Sequence, residues 1–155
     1  MKSMNSMKLM IEKNAYLVPT ITAGKQVVEK AKIPGYYPDI IVPKALKVGP
    51  KIQETFKKAY EIGVPIAFGT DAGVFPHGLN GKEFGYMVEV GMPASEVIQS
   101  ATIVNASILE QDKLGQIKPG FYADIVASDQ NALKDITTLE NITFVMKNGE
   151  VFKNN

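Results

Sequence analysis

Two short, mainly apolar runs containing β-branched residues interrupt an otherwise mixed sequence: Ala15-Tyr16-Leu17-Val18-Pro19-Thr20-Ile21 and Val64-Pro65-Ile66-Ala67-Phe68. A strand wetted on one face alternates apolar and polar side chains, so runs of this kind fit strands buried on both faces, as in a parallel sheet. Residues 22–63 lie between them, and a connection that long suits a crossover between parallel neighbours. It reads as a short helical stretch around Gln26 to Ala31, a Pro/Gly/Tyr-rich loop from Ile33 to Pro43, and a helix beginning at Pro50. In that helix Ile52, Phe56, Ala59 and Tyr60 share a face, Pro50 suits the first turn and Gly63 the position past the end. Lys51, Lys57 and Lys58 form its solvated side. Pro19 is tolerable only near a strand end or an unpaired edge.

The second run ends in Gly69-Thr70-Asp71-Ala72-Gly73, a glycine-flanked polar turn, followed by a loop from Val74 to Gly81. Two helices are predicted next, one marked by Phe84, Met87 and Val88, the other starting at Pro93 with Val97, Ile98, Ala101, Ile108 and Leu109 on one side. From Gly115 the pattern changes to short strands: Gln116-Ile117, Ala123 to Ala127, Phe144 to Met146, and Val151-Phe152. Pro119-Gly120 and Asn148-Gly149 punctuate them, the second pair being a two-residue hairpin signal. An α/β region, residues 1–112, is therefore expected to precede a small β region, residues 113–155.

Composition narrows the chemistry. The chain of 155 residues has one histidine and no cysteine, so it cannot supply the three or four Cys/His ligands of a zinc site or form a disulfide. Its 17 basic residues are all lysine against 16 acidic ones. Without arginine's planar fork and with a formal charge of +1, a nucleic-acid partner is not expected. No stretch approaches the roughly 20 apolar residues of a membrane span, and the first ten residues lack a signal-peptide apolar run, so a cytoplasmic location is expected.

In parallel α/β architectures functional groups gather at the carboxyl ends of strands, and Asp71 stands three residues past an apolar run. A carboxylate there can hold a divalent metal or accept a proton; alternatively it caps the following turn. His77, in Phe75-Pro76-His77-Gly78, is either a substrate or acid-base group or an exposed loop residue. Tyr36 and Tyr37 either wall a ligand at the same end or anchor their loop. Asp124 is read as a solvated carboxylate. Met1, Met4, Met7 and Met10 recur at a near-helical spacing that either covers apolar surface or belongs to an unstructured start.

The residues Gly63 to Gly73, then Phe75-Pro76-His77-Gly78, Ala101-Thr102 with Asn105-Ala106, and Leu114 to Gly120 followed by Ala123-Asp124-Ile125-Val126, taken in order, resemble the C-terminal part of a metal-dependent amidohydrolase. The branch is that of imidazolonepropionase-like enzymes and Xaa-Pro or Xaa-Arg dipeptidases, and the resemblance runs from Leu9 onward. It implies a TIM-like (β/α)8 barrel carrying zinc or another divalent metal at its C-terminal face. Residues 15–21 and 64–68 would be the seventh and eighth strands, and Asp71 the metal-associated aspartate that takes a proton from the attacking water. His77 would lie near substrate, and the last strands would belong to a small β-sandwich.

The family's His-x-His pair and other histidine ligands do not occur in this sequence, and such barrels take about 250 residues. The resemblance therefore implies a portion of the enzyme: the last two β/α units and part of the sandwich, both incomplete, with no metal bound by the chain alone. Hydrolysis of amide, cyclic amide or dipeptide C–N bonds would need an N-terminal half, possible on another polypeptide. The alternative is a non-catalytic remnant or interaction module that self-associates through open sheet edges.

Overall fold

A computed structural model describes residues 2–155, so Met1 of the methionine series lies outside the described residues. The chain is a mixed α/β structure. Helix α1 (Lys2–Glu12) leads into the first apolar run through Asn14, which adopts a left-handed φ of 50°. Ala15 N–H bonds Met10 O at 2.8 Å and Asn14 N–H bonds Ile11 O at 3.1 Å, the paired closure of a Schellman turn. The same device ends α3 (Val42–Glu61): Gly63, at φ 86°, bonds Tyr60 O, and Val64 N–H bonds Ala59 O. Two helices thus hand over to the two runs in the same way.

The runs pair in parallel, as their lack of polar alternation predicts, through one bridge between Leu17 and Ile66. Leu17 N–H donates to Pro65 O at 2.8 Å and Ala67 N–H to Leu17 O at 3.0 Å. The segments close further at Gly69, where a Cβ would sit 2.5 Å from Val18 Cγ1. Between them, helix α2 runs from Ile21 to Ala31. This corrects the reading of Ile21 as strand and of the helix as starting near Gln26; the cause is tertiary and is described with the site.

Helix α3 begins at Val42, with Pro43 in its first turn, so Pro50 lies inside the helix rather than at its start. A proline there removes an N–H from the ladder. Its neighbour Gly49 is what the packing requires: a Cβ on it would fall 2.1 Å from Val28 Cγ2 and 3.0 Å from Gly24 O, so α2 and α3 cross at two glycines. The main core joins α2, α3, the second run and the helices after it through Ile21, Phe56, Ile66, Met87, Met92 and Val97. A smaller cluster holds α1 in place through Met7, Ala59 and Val64, so the methionine spacing does serve a packed helix.

Helix α4 spans Lys82–Glu89 and α5 Ala94–Gln99. A π turn, Ser100–Val104, separates α5 from α6 (Asn105–Ile108). That turn breaks the regular spacing, and Ile108 and Leu109, expected on the buried side, are exposed.

Three strands follow: β1 (Ile125–Ala127), β2 (Phe144–Lys147) and β3 (Glu150–Asn154), antiparallel in the order β1-β2-β3. Asn148 and Gly149 form the β2–β3 turn with positive φ at both residues, as the dipeptide predicts. Asp124 is exposed but not merely solvated: its carboxylate accepts the Asn148 N–H at 2.7 Å and pairs with Lys147 at 3.0 Å. Those contacts, the turn N–H first, hold its pKa below the ordinary carboxylate value.

Gln116-Ile117 forms no strand, and Ile117 is 85% exposed. The preceding Gly115, at φ 80°, lies so close to the π turn that a Cβ would fall 2.8 Å from Thr102 C and O. Gly115→Ala is therefore expected to destabilise the chain by about 1–3 kcal/mol, through overpacking against backbone that cannot yield, read as a lower urea midpoint at unchanged m-value. An unchanged midpoint would mean the loop does not depend on this approach.

Candidate active site at the ends of the parallel segments

The carboxyl ends of the two segments are Thr20 and Asp71, and both carry left-handed backbone, at φ 49° and 54°. That region is uncommon outside glycine, and Asp tolerates it better than most residues. Asp71 is exposed. The turn after it is closed by Val74 N–H donating to the backbone carbonyl of Asp71 at 3.3 Å. That closure uses the backbone of Asp71 and not its carboxylate.

Thr20 and Asp71 line one cavity of about 430 Å³, walled mainly by Ala23, Val27, Ile41, Val48 and Ile52, with Lys44 as the other charged side chain. An apolar cleft with few polar groups at a strand end is the usual form of a small-molecule site. His77 is exposed in the following loop and does not line this cavity. Tyr36 and Tyr37 meet edge to face with centroids 4.9 Å apart, and Lys30 stands over the Tyr36 ring at 5.4 Å. They anchor their loop and form no wall of the cavity. Lys30 also donates to Val74 O at 2.8 Å, tying α2 to the loop after Asp71.

Several residues support the site through contacts that the sequence alone does not reveal. Asn105, delivered by the π turn, clamps Phe68 from both sides: its Oδ1 accepts the Phe68 N–H at 3.2 Å and its Nδ2 donates to Phe68 O at 2.9 Å. The side-chain amide thus stands in for a neighbouring strand just before Asp71. Asn80 Nδ2 donates to Thr70 Oγ1 at 3.0 Å.

Glu83 is fully buried and accepts three hydrogen bonds, from Ile21 N–H and Thr22 N–H at 2.7 Å each and from the Thr22 hydroxyl at 2.5 Å. It thereby starts α2 one residue past Thr20, which is why Ile21 is helical. Burial pushes its pKa up, and the three donors pull it back only in part. A signal for Glu83 was present: it lies four residues before Met87, on the same helix face.

Among the described residues no three of His, Asp and Glu stand close enough to hold a metal ion. A catalytic zinc takes about three protein ligands. Asp71 by itself does not make such a site among the described residues. No helix among the described residues is long and apolar enough to cross a membrane.

The amidohydrolase family model matches residues 1–152. A solved Xaa-Pro dipeptidase with methionine bound in its active site superposes with a TM-score of 0.93 at 54% identity, over 97% of this chain and 37% of that one. A prolidase complexed with N-methylphosphonate-L-proline gives 0.85 at 30% identity, over 97% and 38%. The ochratoxinase of Aspergillus niger is 37% identical over 107 residues, 64% of this chain and 22% of its own length. The chain thus spans between about a fifth and two fifths of these relatives.

Proposed function

This chain belongs to the amidohydrolase family, and from that membership we propose that the enzyme of which it forms part is a metal-dependent hydrolase of C–N bonds acting on Xaa-Pro-type dipeptides. The observation that carries the reading is Asp71: an exposed carboxylate at a strand end, left out of its own turn, on the edge of an apolar cavity. In the proposal Asp71 is the catalytic carboxylate that accepts a proton from the attacking water and one metal-associated group. Its conformation is set by Asn105 and Asn80 behind it. The likeness to an Xaa-Pro dipeptidase at 54% identity supports the choice of substrate. His77 is assigned to the substrate side through the loop it shares with Asn80, which accepts the Gly78 N–H at 3.2 Å.

Residues 15–20, Ile21 having passed to α2, and 64–68 are then the seventh and eighth strands of a (β/α)8 barrel. Residues 1–112 form the barrel portion, and 113–155 a share of a β-sandwich. The remaining metal ligands, zinc or another divalent ion being the expected metal, lie on strands that continue the barrel, on the same or another polypeptide. Among the described residues no further strand pairs with these two segments, and the exposure of Tyr16 (38%) and Val18 (45%), both on the face away from Leu17, supports more of the sheet and its packing being supplied there.

The test is an assay of the 155 residues with zinc on a panel of Xaa-Pro dipeptides, alone and with a polypeptide supplying the preceding strands. No turnover alone and turnover on complementation is the expected result. Substantial hydrolysis by the chain alone overturns the assignment of the metal ligands elsewhere. Failure of complementation, with the chain found in dimers or larger assemblies, favours the self-associating module, a reading that the same open edge also supports.

A further inference from the structure

One four-residue segment, Asn80 to Glu83, touches the carboxyl ends of both parallel segments. At one end Asn80 donates to Thr70 Oγ1, one residue before Asp71, and accepts the Gly78 N–H beside His77. At the other, Glu83 accepts the N–H groups of Ile21 and Thr22, immediately after Thr20. Between them Gly81 is pressed against the 3-10 turn Ile136–Glu140: a Cβ there would fall 2.8 Å from both Glu140 Cα and Leu139 O. The segment is therefore fixed on a third side, by the C-terminal part of the chain.

We propose that Asn80 and Glu83 are positioning residues, and that this segment is a brace setting the distance between Asp71 and the Thr20 wall of the cavity. Neither side chain lines the cavity that Thr20 and Asp71 share, so neither touches substrate bound there. Their effect passes through Thr70 on one side and the first turn of α2 on the other. Reaction rates fall steeply when a reacting group is displaced by even about 1 Å, so a brace acting on both walls is read in kcat. The inference rests on Asp71 as the catalytic carboxylate.

Thr70→Val removes the hydroxyl that Asn80 meets and keeps the shape; Asn80→Ala removes the other partner of the same bond. In the complemented enzyme, with methionyl-proline as the probe, each is expected to lower kcat about tenfold with KM within about twofold. The double variant should lose no more than Asn80→Ala alone, because that change already removes the Thr70–Asn80 bond along with the acceptor of the Gly78 N–H. Thr70→Ser, which restores the hydroxyl, should return kcat to within about twofold of the parent. On the other arm, Glu83→Gln replaces an acceptor by an amide NH₂, and is expected to lower kcat while raising hydrogen exchange at Ile21 and Thr22 at least about tenfold.

A parent-like kcat in Thr70→Val, losses that multiply in the double variant, or no recovery with serine overturns the brace. An Asp71→Asn enzyme that keeps parent activity overturns instead the assignment of the catalytic carboxylate. The two failures are thus separate.

Discussion

Asp71→Asn in the complemented enzyme is expected to lower kcat for Xaa-Pro hydrolysis by about 10²–10⁴-fold, the range associated with a positioned proton acceptor, with the thermal midpoint unchanged. Asparagine accepts left-handed backbone as readily as aspartate, and the turn is closed by the backbone carbonyl of Asp71 rather than by its side chain. The substitution therefore removes the proton-accepting oxygen and leaves the chain path alone. Asp71→Ala is the poorer test, because alanine at φ 54° adds strain. In the proposed reaction the carboxylate takes the proton of the attacking water and returns it to the leaving amine as the C–N bond breaks. Activity within about tenfold of the parent would falsify that role for Asp71.

Glu83→Ala is expected to be the most destabilising single change among the residues described. Two backbone N–H groups and one hydroxyl lose their acceptor inside the fold, at about 1–3 kcal/mol for each unpaired group. A loss of roughly 3–5 kcal/mol is a large part of the 5–15 kcal/mol that holds a domain of ordinary stability. The measurement is denaturant unfolding; a loss below about 1 kcal/mol would show that water or a rearranged α2 satisfies these groups.

The same carboxyl group has a pH signature. Burial raises the pKa of Glu83 in the native chain above its ordinary value of 4.5, so between that value and the native one the folded state holds the proton more tightly than the unfolded state. Its contribution to stability is then complete below the ordinary carboxylate range and declines as pH rises through the native pKa. The difference in thermal midpoint between the parent and Glu83→Gln should shrink with rising pH across that interval and then level. A difference that grows with pH would mean that the three donors outweigh burial and that the carboxylate is favoured.

Much of the fold was legible because it is locally encoded. Gly63 after an apolar helix face, Asn148-Gly149 between two short apolar stretches and the unalternated run 64–68 each carry their own instruction within a few residues. Asp71 is a candidate for the same reason, standing directly behind such a run. What escaped depends on groups far apart in the chain. Ile21 belongs to a β-branched run and reads as strand, yet Glu83, 62 positions away, takes its N–H and starts a helix. Asn105 clamps Phe68 across 37 positions, and although both stand in segments that carry the family resemblance, the sequence does not show that they meet. Gln116-Ile117, between Gly115 and Pro119-Gly120, reads as a short strand, and the close approach of Gly115 to the backbone of Thr102 is invisible in the sequence.

The π turn at Ser100–Val104 acts as a phase shift within an otherwise continuous helix. At 100° per residue, Val97 and Ile108, eleven positions apart, would fall on nearly the same side of a regular α-helix, and Val97 and Ala106 on opposite sides. The chain does the reverse: Val97 and Ala106 are buried and Ile108 is 43% exposed. The extra residue accommodated by the π turn rotates everything after it, hiding Ala106 and bringing Asn105 round to Phe68. A one-residue deletion there would leave a helix more regular by its own periodicity and a strand end without its clamp. Local regularity and the geometry around Asp71 are in competition at this point, and the chain has kept the irregular helix.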